Sequence, residues 1–158
     1  MVASYHRLVF GSSNVCKPGG FLYIACDLSE GIVYVGQTAS QTGVLGRWLE
    51  HFRASNAGFR RRLAEWDEDA LDRLSGLVVV YWLLGQGREF AGLESSYREG
   101  VEYLVQVGMH RLCAELKAPL RVLSTVRTNT TVQQAVVIEA ATRVLDCVRT
   151  EYPTIFRV

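Results

Sequence analysis

One stretch of this 158-residue chain constrains the fold more than any other: residues 20–52, GFLYIACDLSEGIVYVGQTASQTGVLGRWLEHF. It contains two short apolar runs on either side of a polar tetrad, residues 27–30, with a glycine directly after the tetrad. Two apolar runs joined through about four polar residues predict a β-hairpin. A polar, glycine-containing connection and a helix are expected to follow it.

The length of the hairpin loop decides which side chains share a face. If Cys26 and Gly31 close the loop, antiparallel pairing places Tyr23 directly opposite Tyr34. Directly opposed side chains lie on one face of the hairpin, about 5 Å apart at their Cβ atoms. A slip of one residue would place the two phenols on opposite faces.

The helix after the hairpin carries two basic side chains four residues apart. Arg47 and His51 therefore share one helix face. The buried side is predicted to consist of residues at helical spacing: Leu45, Trp48, Leu49 and Phe52. Two phenols, one guanidinium and one imidazole are thus expected to converge beside one sheet edge.

These segments, taken in order, resemble the core of the GIY-YIG endonuclease superfamily. Tyr23 corresponds to the tyrosine of the first motif, in which FLY stands in place of Gly-Ile-Tyr. Tyr34 and Gly36 in VYVG closely resemble the second motif. Arg47 followed by His51 on the next helix is also the pattern of that family.

The resemblance implies a fold and a domain organisation. The expected fold is α/β (α+β), with a small mixed sheet of about three core strands flanked by helices. The whole chain, residues 1–158, is expected to form a single nuclease-like domain. Its core would span about 18–117, and a C-terminal addition with an extra helix would span about 118–158.

The resemblance also implies a divalent cation, Mg²⁺ or Mn²⁺, held by a glutamate on a helix after the third strand. Glu102 is favoured because VEYLV follows the strand at 76–84 and because Glu102 borders the buried stripe of its helix. Three alternatives stay open. Glu139 resembles the family string but has Arg143 four residues on, as in a surface ion pair; the other two are Glu94 and Glu99.

The activity that the resemblance implies is metal-dependent hydrolysis of phosphodiester bonds. Arg47 would stabilise negative charge on the phosphate, and Tyr23 would act as general base or position the water. Tyr34 would orient the water or the phosphate, and His51 would hydrogen-bond a tyrosine or relay its proton. A phenol is a poor base near neutral pH unless a nearby cation lowers its pKa, and Arg47 and His51 are the expected cations.

Composition restricts the remaining possibilities. Apolar residues make up 49% of the chain and charged residues 21%, as in soluble globular proteins. No apolar run reaches the roughly 20 residues of a membrane span, and the N-terminus lacks the apolar core of a signal peptide. The four cysteines are widely scattered, which disfavours a zinc site. We therefore expect a cytoplasmic protein that does not bind membranes.

The partner is expected to be nucleic acid, DNA rather than RNA, although the net charge is only +1. Residues 1–62 hold seven Lys or Arg against three Asp or Glu, and residues 63–99 hold three against eight. Phosphate contacts are therefore expected from Arg53 and from the triplet 60–62. A homodimer or a protein partner could supply specificity. The alternative function is a non-catalytic nucleic-acid-binding or protein-interaction module.

The rest of the chain is predicted from periodicity and from turn residues. The long apolar run at 76–84 is typical of a central strand. The remaining predictions are a strand or arm at 5–10, loops at 11–20 and 85–92, short helices at 59–66 and 70–74, a long helix at 93–116 ended by Pro119, and a strand within 120–126. A final helix is predicted at 131–152, with Val137, Ala141, Val144 and Val148 facing inward.

Overall fold

A computed structural model describes residues 6–7, 16–53, 58–85, 87–92 and 94–155, and the side chains of 16–151 within these ranges. The elements, in chain order, are β1 (His6–Arg7), β2 (Gly20–Asp27), β3 (Ile32–Thr38), α1 (Gly43–Arg53), α2 (Gly58–Trp66), α3 (Ala70–Arg73), β4 (Val78–Gly85), α4 (Arg88–Ala91), α5 (Ser96–Glu115), β5 (Arg121–Val122) and α6 (Ala135–Ile155).

The described strands form one mixed sheet in the order β1-β4-β2-β3-β5. Pairing is antiparallel throughout except between β3 and β5, which run parallel. Three strands of seven or eight residues make up most of the sheet, and β1 and β5 add two residues each. The predicted α/β class, with a small mixed sheet flanked by helices, is confirmed. Strand β2 is central in this order, and among the described residues β4 pairs on its other side with the two residues of β1.

The β2–β3 hairpin has a four-residue loop, but its register differs from the prediction by two residues. Asp27 pairs with Ile32 at the loop, so Tyr23 lies opposite Gly36, and Tyr34 lies opposite Ala25. The expected direct Tyr23–Tyr34 pair is therefore wrong. A shift of two residues keeps every side chain on its face, so the two phenols still share one side of the sheet.

Helices cover both faces of this sheet, because the side chains of the long strands alternate between two apolar clusters. One cluster joins the face of Leu22 and Ile24 to α5 and α6. The other joins the face of Tyr23 and Tyr34 to α1, α2 and α3. The two predicted phenols are therefore packed beneath α1 and α2.

Helix α1 presents a different side to the sheet from the one predicted. Its buried side chains are Val44, Trp48 and His51, at spacings of four and three residues. Leu49 and Phe52 are each 46% exposed, so the predicted apolar stripe is wrong for these two residues. The helix is rotated because the buried face includes a polar imidazole, which a hydrophobic pattern assigns to solvent.

The later helices follow the predictions more closely. Helix α6 buries the predicted residues Val137, Ala141, Val144 and Val148 but begins at Ala135, after a 3₁₀ turn. Helix α5 ends at Glu115, before Pro119, and its C-terminal turn has Lys117 at a φ of 49°. The predicted 85–92 loop contains the short helix α4.

Several predicted elements are shorter than expected or fall partly outside the described residues. The strand predicted within 120–126 is only the two-residue β5. Of the predicted strand at 5–10 only β1 is described, and Leu93 and residues 11–15 of the predicted 11–20 loop lie outside the description. Among the described residues, no helix combines the length and the apolar character needed to cross a membrane.

Candidate functional site

The centre of the site is a buried hydrogen bond between β2 and α1. The hydroxyl of Tyr23 lies 2.8 Å from Nε2 of His51. Tyr23 is 1% exposed and His51 is 0% exposed. Burial of two polar groups is tolerated because each satisfies the other. The sequence predicted that Tyr23, on the hairpin, and His51, on the next helix, converge, and their side chains are in direct contact.

The imidazole of His51 is fixed from its other side by the start of α2. The backbone N–H of Phe59 donates to Nδ1 at 3.4 Å. The rings of Trp48 and Phe59 pack near the imidazole, with centroid separations of 5.1 and 6.3 Å. The ring therefore has one polar partner on each nitrogen and aromatic groups around it.

Tyr34 completes the aromatic part of the site. Its ring centroid lies 6.3 Å from that of Tyr23 and 5.6 Å from that of His51. Gly58 leaves space for the Tyr34 hydroxyl, since a Cβ there would lie 2.8 Å from that oxygen. Both predicted tyrosines therefore face the same histidine.

Arg47 is half-buried at the edge of this cluster and carries its positive charge. Its Nη1 donates to Glu50 at 2.9 Å, and both side chains are partly exposed. Burial raises the pKa of Tyr23 and lowers the pKa of His51; the charge of Arg47 opposes the first shift and adds to the second. An exposed ion pair contributes little to stability, so an anionic ligand can compete with Glu50 for this guanidinium.

Glu102 lies on α5, and its carboxylate affects the pKa of both phenols. The carboxylate raises the pKa of Tyr23 and of Tyr34, whereas Arg47 lowers the pKa of Glu102. Glu102 is 7% exposed. The acidic group therefore lies within electrostatic range of the two tyrosines and the arginine.

The position of α5 follows from a buried arginine one turn before Glu102. Arg98 donates through Nε to the side chain of Gln37 at 2.9 Å. Its Nη1 donates to the carbonyls of Phe90 and Gly92, at 2.7 Å each. The first bond attaches α5 to the end of β3, where Gln37 directly follows Gly36, the residue that pairs with Tyr23. The other two bonds attach α5 to α4 and to the residue after it.

The other candidate carboxylates lie elsewhere. Glu139 pairs with Arg143 at 3.8 Å with its side chain 71% exposed, so the structure contains the surface pair inferred from their spacing. Glu94 is exposed and accepts a hydrogen bond from Ser96. Glu99 accepts a hydrogen bond from Ser95 and raises the pKa of Glu102. Of the four, only Glu102 is buried.

Burial changes the protonation states expected from the sequence. Burial, together with Arg47, lowers the pKa of His51 to about 4, so His51 is neutral near pH 7. Burial raises the pKa of Tyr23 well above its ordinary value, and Tyr34 raises it further. The expectation that His51 acts as a cation to lower the pKa of a phenol is wrong, and Arg47 remains as the nearby cation.

Magnesium prefers oxygen ligands and commonly uses one or two carboxylates, with water and phosphate oxygens completing its shell. Burial raises the pKa of Glu102 to about 8, and Glu99 raises it further; a bound cation would favour the ionised form. Within the described ranges, no group of three or more His, Cys, Asp or Glu side chains could hold a metal ion. The donors present fit a cation held by one carboxylate, not a closed protein site.

The basic surface predicted from the sequence is partly neutralised. Arg61 and Arg62 both pair with Glu65, at 3.8 and 2.6 Å. Arg60 donates to the carbonyl of Phe52 at 3.0 Å. Arg53 and Arg60 have no carboxylate partner among the described side chains, so they are the residues of this group best suited to phosphate contacts.

Sequence reasoning missed the contribution of α2. Gly58 leaves room for the hydroxyl of Tyr34, and the backbone N–H of Phe59 donates to His51. Neither contribution depends on an ionisable side chain. The turn residues before this helix predict an interruption between two helices, but they do not predict which residues the second helix contacts. The sequence predicted that Trp48 is buried, but not that its ring packs near His51.

No family model matches this chain, and comparisons with curated proteins and with solved structures gave no significant match. The function is therefore argued from the geometry and charges of the site.

Proposed function

We propose that this protein is a divalent-metal-dependent endonuclease of the GIY-YIG type, which hydrolyses phosphodiester bonds of nucleic acid, DNA rather than RNA. The observation that carries the proposal is the buried Tyr23–His51 hydrogen bond, with Tyr34 beside it and with Arg47 and Glu102 in electrostatic range. These are the five residue types and positions that the motif resemblance selects.

The chemistry of phosphodiesters favours such a site. Hydrolysis requires a water to approach an anion and an alkoxide to leave, so a catalyst must neutralise charge on the phosphate. Arg47 would contact the phosphate oxygens, which a guanidinium can bind with two parallel hydrogen bonds. Tyr23 and Tyr34 provide hydroxyl groups that orient the phosphate or the water.

Glu102 is the residue that would hold Mg²⁺ or Mn²⁺. Such a cation, when bound, supplies charge stabilisation to the scissile phosphate and the leaving oxygen. Glu102 must lose its proton to serve as a ligand. Glu102 is buried on α5, which restricts its position, and the charge of Arg47 assists its ionisation.

Binding of the polymer would use residues outside the pocket. Arg53 and Arg60 are placed at the end of α1 and the start of α2, next to the elements that carry His51. We expect the protein to act in the cytoplasm, where its four free cysteines would stay reduced. A homodimer or a protein partner is the expected source of specificity.

Cleavage of plasmid DNA and of RNA by the full-length protein tests this proposal, with Mg²⁺, with Mn²⁺ and with a chelator. We expect metal-dependent nicking of DNA that Arg47→Ala reduces at least about 100-fold, the typical effect of removing one group that stabilises transition-state charge. Arg143→Ala is the control, because Arg143 lies on the surface of α6. Equal cleavage by wild type and Arg47→Ala would contradict the proposal.

A non-catalytic binding module on the same scaffold is the second candidate. One observation favours it: burial raises the pKa of Glu102 to about 8, so this carboxyl keeps its proton near pH 7 unless a cation binds. The same experiment separates the two functions. Retention of DNA or RNA without cleavage, in either metal, would support the binding module.

A further inference from the structure

The hydrogen bonds around His51 define which ring nitrogen carries a proton. The backbone N–H of Phe59 points at Nδ1, and a backbone amide can only donate. Nδ1 therefore carries no hydrogen, and its lone pair accepts the hydrogen bond from Phe59. A doubly protonated ring is excluded by the same contact, because its Nδ1–H would face the N–H of Phe59. The ring is neutral, with its single proton on Nε2.

This proton determines the direction of the bond to Tyr23. Nε2–H is the donor and the phenol oxygen is the acceptor across the 2.8 Å separation. The hydroxyl hydrogen of Tyr23 must then point to another group. His51 has no lone pair with which to take that hydrogen, because Nδ1 is occupied by Phe59 and Nε2 is protonated.

We propose, resting on the proposed function, that His51 is a positioning residue that donates to Tyr23, and that Tyr23 keeps its proton and directs its O–H away from His51, toward the side where Tyr34 and Arg47 lie and where the phosphodiester would bind. No proton passes from Tyr23 to His51. This assignment differs from the relay that the sequence suggested for His51.

The surroundings of the pair support the assignment. His51 is fully buried among Trp48 and Phe59. A ring flip would put a ring carbon where each nitrogen now lies and would break the hydrogen bonds to Tyr23 and Phe59. Burial also disfavours the two charged species that a relay would create, imidazolium and phenolate. The pKa directions agree, since the pKa of His51 is lowered and that of Tyr23 is raised.

The two roles for His51 predict different responses to glutamine. The side-chain amide of glutamine can donate a hydrogen bond but cannot accept and hold a proton. A positioning donor is therefore partly replaced by glutamine, whereas a proton relay is lost. Loss of a proton-transferring residue typically costs about 100- to 10,000-fold in rate.

Nuclear magnetic resonance of the full-length protein with ¹⁵N-labelled histidine tests the tautomer without any assay of activity. The chain has three histidines, and the His51 signals are assigned by their loss in His51→Gln. We expect a neutral ring protonated on Nε2 at neutral pH. A ring protonated on Nδ1, or on both nitrogens, would overturn the proposal.

Cleavage of a simple phosphodiester, bis(p-nitrophenyl) phosphate, with Mg²⁺ or Mn²⁺ tests the roles in catalysis. We expect His51→Ala and Tyr23→Phe each to lose at least about 100-fold in kcat, and His51→Gln to recover to within about 10-fold of wild type. His110→Gln, on an exposed residue, is the control. Thermal unfolding of each variant shows which retain the fold.

The outcomes separate the two proposals. If His51→Gln is folded and as inactive as His51→Ala, the positioning role is wrong. If wild-type protein cleaves neither this diester nor plasmid DNA, the proposed function fails, and with it the role of Tyr23 toward substrate. The tautomer measured by magnetic resonance still decides the direction of the His51 bond in that case.

Discussion

Tyr23 lies directly opposite Gly36 in the β2–β3 pair, and its phenol ring occupies the space that a side chain at position 36 would need. The hydroxyl of the same ring reaches His51 on α1. The glycine of the VYVG segment therefore determines where the candidate catalytic hydroxyl lies.

Replacing this glycine should damage both stability and the site. We expect Gly36→Ala to displace the Tyr23 ring and to lower the free energy of unfolding by about 1–3 kcal/mol, the usual cost of overpacking. Denaturant unfolding measures the change. Gly19→Ala is the comparison, because its Cβ would meet only side-chain atoms of Phe21 and Leu83, at 3.1 and 3.3 Å. Equal stabilities of the two variants would argue against the role of Gly36.

His51 should make stability depend on pH in the mildly acidic range. Burial lowers the pKa of His51 from 6.5 to about 4, so the folded protein binds fewer protons than the unfolded chain between these values. The His51 contribution to the free energy of unfolding should therefore fall as the pH drops from 6.5 to 4, by at most about 3 kcal/mol. Glu102 contributes with the opposite sign above its ordinary value of 4.5, because its raised pKa makes the folded protein bind more protons there, so the His51 contribution is measured as the difference between wild type and His51→Gln in denaturant unfolding at several pH values. Equal pH dependence of the two proteins would contradict the assignment.

A second pH effect should come from Asp27 at the hairpin loop. One carboxylate oxygen accepts hydrogen bonds from the backbone and hydroxyl of Ser29 and from the N–H of Glu30, and the other accepts from the N–H groups of Ser75 and Gly76. Burial raises the pKa of Asp27, but these bonds together lower it below its ordinary value. This stabilisation is present above the unfolded pKa of about 4 and is lost as the pH falls through the lower folded value.

Removal of the charge at the same position should be costly at neutral pH. In Asp27→Asn, one oxygen is replaced by an amide group that cannot accept, so we expect a loss of about 1–3 kcal/mol. Chemical denaturation at pH 7 checks this value. Asp72→Asn is the matched control, because Asp72 is exposed on α3 and should change stability little.

The basic residues at the junction of α1 and α2 should govern the salt dependence of DNA binding. Arg53 is exposed and has no carboxylate partner among the described residues, so each phosphate it contacts should release a counterion. We expect Arg53→Ala to reduce the slope of log affinity against log salt by about 0.9. Titrations with labelled duplex at several salt concentrations measure the slope. Arg143→Ala should leave it unchanged.

The sequence was sufficient to predict the parts of the fold that depend on local pattern. The hairpin, the strand at 78–85 and the buried face of α6 all follow from apolar periodicity or from turn residues. The hairpin register was wrong by two residues, because either Cys26–Gly31 or Asp27–Ile32 could close a four-residue loop. The interactions of the Asp27 carboxylate with backbone N–H groups favour the second choice.

The orientation of α1 could not be predicted, because tertiary contacts determine it. Leu49 and Phe52 belong to the apolar stripe predicted to be buried, yet they are exposed and His51 is buried instead. The partners of His51 are a phenol on β2, 28 residues earlier in the chain, and a backbone amide on α2, eight residues later. A buried polar group with partners on other elements leaves no periodic signal in its own helix.

The most direct test of the central claim compares two glutamates in metal-dependent cleavage. Glu102→Gln removes the buried carboxylate on α5, and Glu139→Gln removes an exposed one of similar sequence context on α6. We expect Glu102→Gln to lower the rate of Mg²⁺-dependent plasmid nicking at least about 100-fold, and Glu139→Gln to match wild type. Wild-type rates in a folded Glu102→Gln variant would contradict the account.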